Sequence, residues 1–122
     1  REELMVDYAI QGLSPHRQLL EEYRDKLAGI GGIGSAKIPH CAQGERVRVG
    51  GLTVCLQVPP TAKGFAFVTL EDEEGLMNVV LRPDIYKRYK QTVRLEPLLV
   101  VDGTVQKKEG VVNIVASRIG VL

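Results

Sequence analysis

Catalysis and metal binding need polar side chains at defined spacings, and this sequence offers few. Its histidines are His16 and His40. His40 adjoins Cys41, but no second Cys-x-x-Cys or His-x-x-x-His pair completes a zinc set. A surface histidine beside a partly buried thiol is the expected arrangement. Glu71-Asp72-Glu73-Glu74 is a run of four acids with the oxygen chemistry to hold a divalent cation. Its position at a turn between two strand patterns favours a solvated tip. Gly29-Ile30-Gly31-Gly32-Ile33-Gly34 matches G-x-G-x-x-G, but the dinucleotide reading requires a strand before it and a helix after it. Here a helical pattern precedes it and Pro39 follows. The Gly-hydrophobic-Gly turn of a DNA-binding helix-hairpin-helix is the other candidate, with Leu27, Ile30 and Gly32-Ile33-Gly34 fitting its first half. Pro39 would cut the second helix after about one turn, which favours a plain flexible linker. No catalytic constellation remains, and neither a cofactor nor a metal is expected.

The bulk properties set the frame for those residues. The chain has 122 residues, 44% hydrophobic and 25% charged, with a formal net charge of +1. That suits one domain with a short appendage and excludes collagen, coiled coil and wholesale disorder. Apolar stretches are only a few residues long, so no membrane span is expected. No signal peptide opens the chain, and Arg1 in place of Met suggests a piece of a longer polypeptide. Cys41 and Cys55 cannot make a disulfide framework and read as reduced thiols of a cytoplasmic protein. Residues 1–42 carry 5 basic and 6 acidic side chains, and residues 43–122 carry 11 and 9. Any electrostatic role must therefore rest on local patches.

Residues 1–43 read as a helical extension and linker, and 44–122 as the main domain. Residues 1–11 look helical, with Leu4 and Tyr8 apolar. Ser14 and Pro15 are the N-cap and N1 of a second helix that carries Leu19, Leu20, Tyr23 and Leu27 at helical spacing and ends at Gly29. From Arg46 the period changes to two, with Gly50-Gly51 marking a bulge or bend before Leu52, Val54 and Leu56. A turn over Pro59–Gly64 leads to a second strand, Phe65 to Asp72, and a tight connection to a third, Leu76 to Leu81. Pro83 opens a short helix, Asp84 to Lys90. Leu98 to Lys107 and Val111 to Ile119 form a final hairpin. The order β-β-β-α-β-β, with a long bent first strand, predicts a mainly β fold: a five-stranded OB Greek-key barrel with a short helix between strands three and four, plus the N-terminal helical extension.

An OB barrel binds across strands two and three, flanked by the loops after strands one and four. Alternation places Val68 and Leu70 on one face of strand two, and Phe67, Thr69 and Glu71 on the other. Because Val68 and Leu70 need burial, Phe67 is left outside as a base-stacking platform. With Met77, Val79 and Leu81 inward, Asn78 shares that outer face and can hydrogen-bond a base edge. A register inverted by one residue would instead bury Phe67. Phe65 lies on the same face and either shares the stacking role or covers the barrel end. Lys63 in the loop after strand one, Lys107 and Lys108 after strand four, and Arg48 on strand one are the phosphate candidates, with Arg46 weaker. Arg82, Lys87, Arg88 and Lys90 are further basic residues near the same end, the helical ones read as a solvated face.

Arg46-Val47-Arg48-Val49-Gly50-Gly51-Leu52, Pro60-Thr61-Ala62-Lys63-Gly64 and Phe67-Val68-Thr69-Leu70-Glu71-Asp72-Glu73-Glu74-Gly75 resemble the C-terminal OB domain of bacterial class C DNA polymerases, the DNA polymerase III alpha family. Arg82-Pro83-Asp84-Ile85-Tyr86, Gly110-Val111-Val112-Asn113-Ile114-Val115-Ala116 and the upstream Asp7-Tyr8 with Gly12-Leu13-Ser14 are similar to the error-prone branch. The resemblance covers nearly the whole chain. It implies a non-catalytic module that binds single-stranded DNA, the template, beside a polymerase core whose catalytic aspartates lie outside this sequence. Its partners would be that DNA, the rest of the polymerase polypeptide and other replication or repair proteins, with no membrane. The family often has basic residues where Leu56 and Val58 stand and Trp where Arg82 stands. Anticodon-binding OB domains of class II aminoacyl-tRNA synthetases share a similar Phe-x-x-Leu-x-Asp-x-x-Gly block, so an RNA-binding domain is a competing reading. A protein-docking barrel without nucleic-acid affinity is another.

Overall fold

The structure, a computed structural model, describes residues 17–122. The helix expected over residues 1–11 and the Ser14-Pro15 cap lie outside the described residues. Helix α1 spans Arg17–Ala28 and buries Leu20, Tyr23 and Leu27. Leu19, expected on the same stripe, is exposed. It precedes Leu20 by one residue and so sits about 100° round the helix from it. The helix ends where expected, with Gly31 at φ 86° and the Gly32 amide donating to the Leu27 carbonyl over 2.9 Å.

The glycine-rich segment after α1 differs from a flexible linker. The Ile33 amide donates to the Arg48 carbonyl at 2.8 Å, joining the segment to the barrel. A 3-10 turn over Ser35–His40 follows, so no second α-helix completes a helix-hairpin-helix. The acidic run is not a free tip either. Asp72 accepts from the Ser35 amide at 2.7 Å and the Ser35 hydroxyl at 2.6 Å, and from the amides of Glu74 and Gly75. Glu74 accepts from the Ala36 amide, and Arg24 donates to Glu73. These carboxylates hold the linker and α1 rather than a cation.

The barrel comprises β1 (Arg46–Gln57), β2 (Ala66–Asp72), β3 (Gly75–Leu81), β4 (Leu98–Lys108) and β5 (Val111–Gly120), with α2 (Pro83–Leu95) between β3 and β4. It closes in the order β1-β2-β3-β5-β4, the OB topology expected from the sequence. β1 is long because it serves two partners. Arg46–Leu52 pairs with β4, and Leu52–Gln57 with β2. The bulge falls between Thr53 and Cys55, after the glycine pair rather than at it. The glycines answer close approach instead: a Cβ on Gly50 would lie 2.8 Å from the Tyr23 ring, and one on Gly51 would lie 2.4 Å from the Glu71 carbonyl oxygen.

Helix α2 runs to Leu95, beyond the expected Lys90. Nothing breaks it before Pro97, and Val93 continues the buried stripe of Ile85 and Tyr86. Alternating residues of all five strands fill the interior, among them Val49, Val68, Leu70, Val79, Leu81, Leu99, Val105 and Ile114. Ile85, Tyr86 and Val93 of α2 complete this core near the end of β3, Ile38 completes it beside the start of β3, and Cys41 joins the same core. Tyr23 and Leu27 pack outside the barrel on Val100. The Tyr23 hydroxyl donates to the Leu99 carbonyl at 2.7 Å, and burial pushes its pKa up to about 12. No helix among the described residues is long and apolar enough to cross a membrane.

Candidate nucleic-acid interface

The outer face of β2 and β3 is set by strand alternation. Val68 and Leu70 are buried, and Phe67 is 37% exposed, so the inverted register does not occur. Met77, Val79 and Leu81 are likewise inward and Asn78 is exposed. Phe67 lies opposite Val80, and Thr69 opposite Asn78. On the other side β1 sets Gln57 opposite Phe67 and Cys55 opposite Thr69. Cross-strand neighbours share a face within about 5 Å, so Gln57, Phe67, Val80, Cys55, Thr69 and Asn78 form one continuous surface. It is uncharged, with one exposed aromatic ring and amides on either side. Such a surface suits the flat face and polar edges of an unstacked base.

Gln57, Val80 and Val115 are not marked as site residues by any local sequence pattern. Gln57 follows from the β1–β2 register. The parallel pairing of Val79 with Ile114 and of Val80 with Val115 carries the face onto β5, where Val115 stands beside Val80. That pairing joins segments far apart in the chain, and no local pattern announces it.

Two loops bound this face. After β1, Pro60–Ala62 forms a 3-10 turn and Lys63 adopts a left-handed conformation at φ 55°. Gly64, also left-handed, brings this loop against Pro83, where an added Cβ would meet the ring at 3.1 Å. Phe65 is half-buried between loop and strand. β2 therefore begins at Ala66, one residue after the expected start. After β4, Glu109-Gly110 turns the chain with both residues at positive φ, the geometry of a type I′ hairpin. Lys107 precedes it, its amide donating to the Gln43 side chain at 2.6 Å and its ammonium to the Pro39 carbonyl at 2.8 Å. Lys63 and Lys108 are exposed.

Arg48 stands apart from this group. It lies on the half of β1 that pairs with β4, opposite Asp102. Its Nε donates to Asp102 Oδ1 at 2.6 Å, its Nη2 to Oδ2 at 3.1 Å, and its Nη1 to the Ile30 carbonyl at 2.6 Å. The hydrogen bond to Asp102 raises the Arg48 pKa further and holds the Asp102 carboxyl below its ordinary value. The structure thus gathers Phe67, Thr69 and Asn78 on one face, with Lys63 on the loop after β1, while Lys107 and Lys108, expected in the loop after strand four, are the last paired residues of β4 opposite Val112 and Val111. It does not bring Arg48 to them. Among the described residues no cluster of His, Cys, Asp and Glu is arranged to hold a metal ion.

A closed five-stranded barrel with this strand order and a helix between β3 and β4 is an OB barrel. The chain belongs to the OB-fold nucleic acid binding domain family, whose model matches residues 56–122. It is 38% identical over 97% of its length to an error-prone DNA polymerase of Rhodopirellula baltica. It is 38% identical over the same share to one of Methylococcus capsulatus. It spans only 10% and 11% of those proteins. Among solved structures, asparaginyl-tRNA synthetase from Pyrococcus horikoshii shares the fold at a TM-score of 0.64 and 17% identity, covering 76% of this chain and 22% of that one.

Proposed function

We propose that this barrel binds single-stranded DNA as a non-catalytic module of an error-prone, alpha-type DNA polymerase, holding the template strand beside the polymerase core. The observation that carries the reading is the exposed Phe67 ring beside Gln57 and Val80, with Asn78 across from Thr69 two pairs further along on the same face. Phe67 stacks a base, Asn78 and Thr69 hydrogen-bond its edge, and Phe65 extends the apolar surface toward the loop. Lys63, Lys107 and Lys108 neutralise phosphates at the two ends. The match to error-prone polymerases along nearly the whole chain supports DNA as the ligand and the rest of a polymerase polypeptide as the covalent partner. It also supports a cytoplasmic setting.

The test is fluorescence anisotropy of a labelled single-stranded oligonucleotide, titrated at several salt concentrations with the wild-type chain and Phe67→Ala. Binding should weaken with salt by a log–log slope of about −0.7 per phosphate contact. Phe67→Ala should weaken it about tenfold or more, from the loss of one stacked base. Salt-sensitive binding unchanged in the variant would reject this face. Absence of binding at low salt would reject nucleic acid and leave a protein-docking barrel. An RNA oligonucleotide of the same sequence that competes better than DNA would favour the anticodon-type ligand.

A further inference from the structure

A second basic surface lies on the opposite side of the barrel. Asp102 of β4 pairs with Arg48 of β1 on one side and Arg118 of β5 on the other, so the three side chains form one row across three strands. Arg46 is two residues from Arg48 on the same face, opposite Thr104. Asp102 feels the charges of all three arginines. It is already engaged, however, since both of its oxygens are taken by Arg48. Arg46 and Arg118 are exposed and share no carboxylate of their own at the surface between them. Glu45 is the other acid bordering this surface, and its Oε1 accepts from the Ala42 amide at 2.9 Å. Open depressions of about 300 and 220 Å³ lie on the two sides of Arg48, one lined by Arg46 and the other by Arg118.

We propose that Arg46 and Arg118, arranged about the Arg48–Asp102 pair, form a phosphate-binding face that takes the sugar–phosphate backbone of duplex DNA. A guanidinium matches a phosphate with two parallel hydrogen bonds, and the donors of Arg46 and Arg118 make no ion pair among the described residues, because the carboxylate between them is bonded to Arg48. Their Cα atoms are two strands and two residues apart, about 12 Å from standard sheet spacings, so they engage separate phosphates. The face has no aromatic side chain among its lining residues, so it offers unstacked bases nothing to stack on. A duplex keeps its bases stacked and presents only phosphate. The proposal rests on the preceding reading only in taking DNA as the ligand, because the residues are wholly different.

The experiment compares the wild-type chain, Arg46→Ala/Arg118→Ala and Phe67→Ala on a labelled 20-base-pair blunt duplex and a short oligo-dT. The double variant should bind duplex about tenfold more weakly, with the salt slope shallower by about 1.8, or 0.9 for each lost contact. Its affinity for oligo-dT should stay within about twofold of the wild type. Arg46→Lys/Arg118→Lys should restore the salt slope, which separates charge from a folding defect. Phe67→Ala should show the reverse pattern. The proposal is overturned by a wild type that does not bind duplex, by a double variant that binds duplex normally, or by equal losses on the two ligands. Failure of Phe67→Ala to affect oligo-dT would instead overturn the stacking face and leave this one standing.

Discussion

Arg48 and Phe67 show how differently two side chains of similar promise are decided. Phe67 is exposed because its neighbours Val68 and Leu70 claim the interior. Arg48 is a phosphate candidate by its place on strand one of an OB barrel, yet its three donating nitrogens are spent on Asp102 and Ile30. It orders a surface rather than reaching across to the aromatic face. Asp102→Asn should therefore destabilise the chain by about 1 kcal/mol, a charge-assisted pair discounted for partial exposure. The pH sign follows from the direction of the shift. The folded Asp102 titrates below its ordinary value of 3.8, so its contribution is present above that value and lost as pH falls through the folded pKa. Urea melts of the wild type across that acidic window should show a decline in stability that Asp102→Asn lacks in part.

Helix α1 and the linker behind it are held by contacts made at long range. Gly50 lets Tyr23 and Leu27 lie directly on β1, and Asp72 holds Ser35 with two short hydrogen bonds. Gly50→Ala should displace α1, because the added methyl would lie 2.8 Å from the Tyr23 ring and 3.1 Å from Leu27 Cδ2. The expected cost is about 1–3 kcal/mol. Amide hydrogen exchange checks it: α1 amides should lose protection while those of β3 and β5 keep theirs. Equal loss in both would mean that α1 and the barrel open as one unit.

The barrel and the segment before β1 share one interior, since Ile38 and Cys41 join side chains of all five strands and α2, and α1 is tied to the outside of that barrel through Val100 and the Leu99 carbonyl. Burial and the charge of Glu45 push the Cys41 thiol pKa up, against the opposing influence of Lys107, which keeps it an apolar filler rather than a nucleophile. Thermal unfolding should accordingly be a single transition. A chain trimmed to residues 44–122 should melt at a lower temperature, because the loss of a buried residue such as Ile38 typically costs about 2–5 kcal/mol. Calorimetry of the two chains checks this, and an unchanged midpoint would show the upstream segment to be dispensable.

The order of the elements and the inward residues of β2 and β3 were legible, because alternation and turn chemistry act over a few positions, whereas the burial of Glu71 and of Thr53 at the β1 bulge was not. Val68 and Leu70 against Phe67, Pro83 opening α2, and Glu109-Gly110 at the last hairpin need no distant partner to be read. The polymerase-like blocks were readable for the same reason, being contiguous. The partners of charges were not. Arg48 and Asp102 are separated by 54 residues, and Ser35 and Asp72 by 37. Val115 reaches the aromatic face only through the parallel pairing of β3 with β5. Which carboxylate meets which donor depends on how the barrel closes, and closure is a property of all five strands together. Local patterning therefore specified the elements and their inward faces. Only tertiary structure divided the basic residues between the aromatic face and the arginine face behind it.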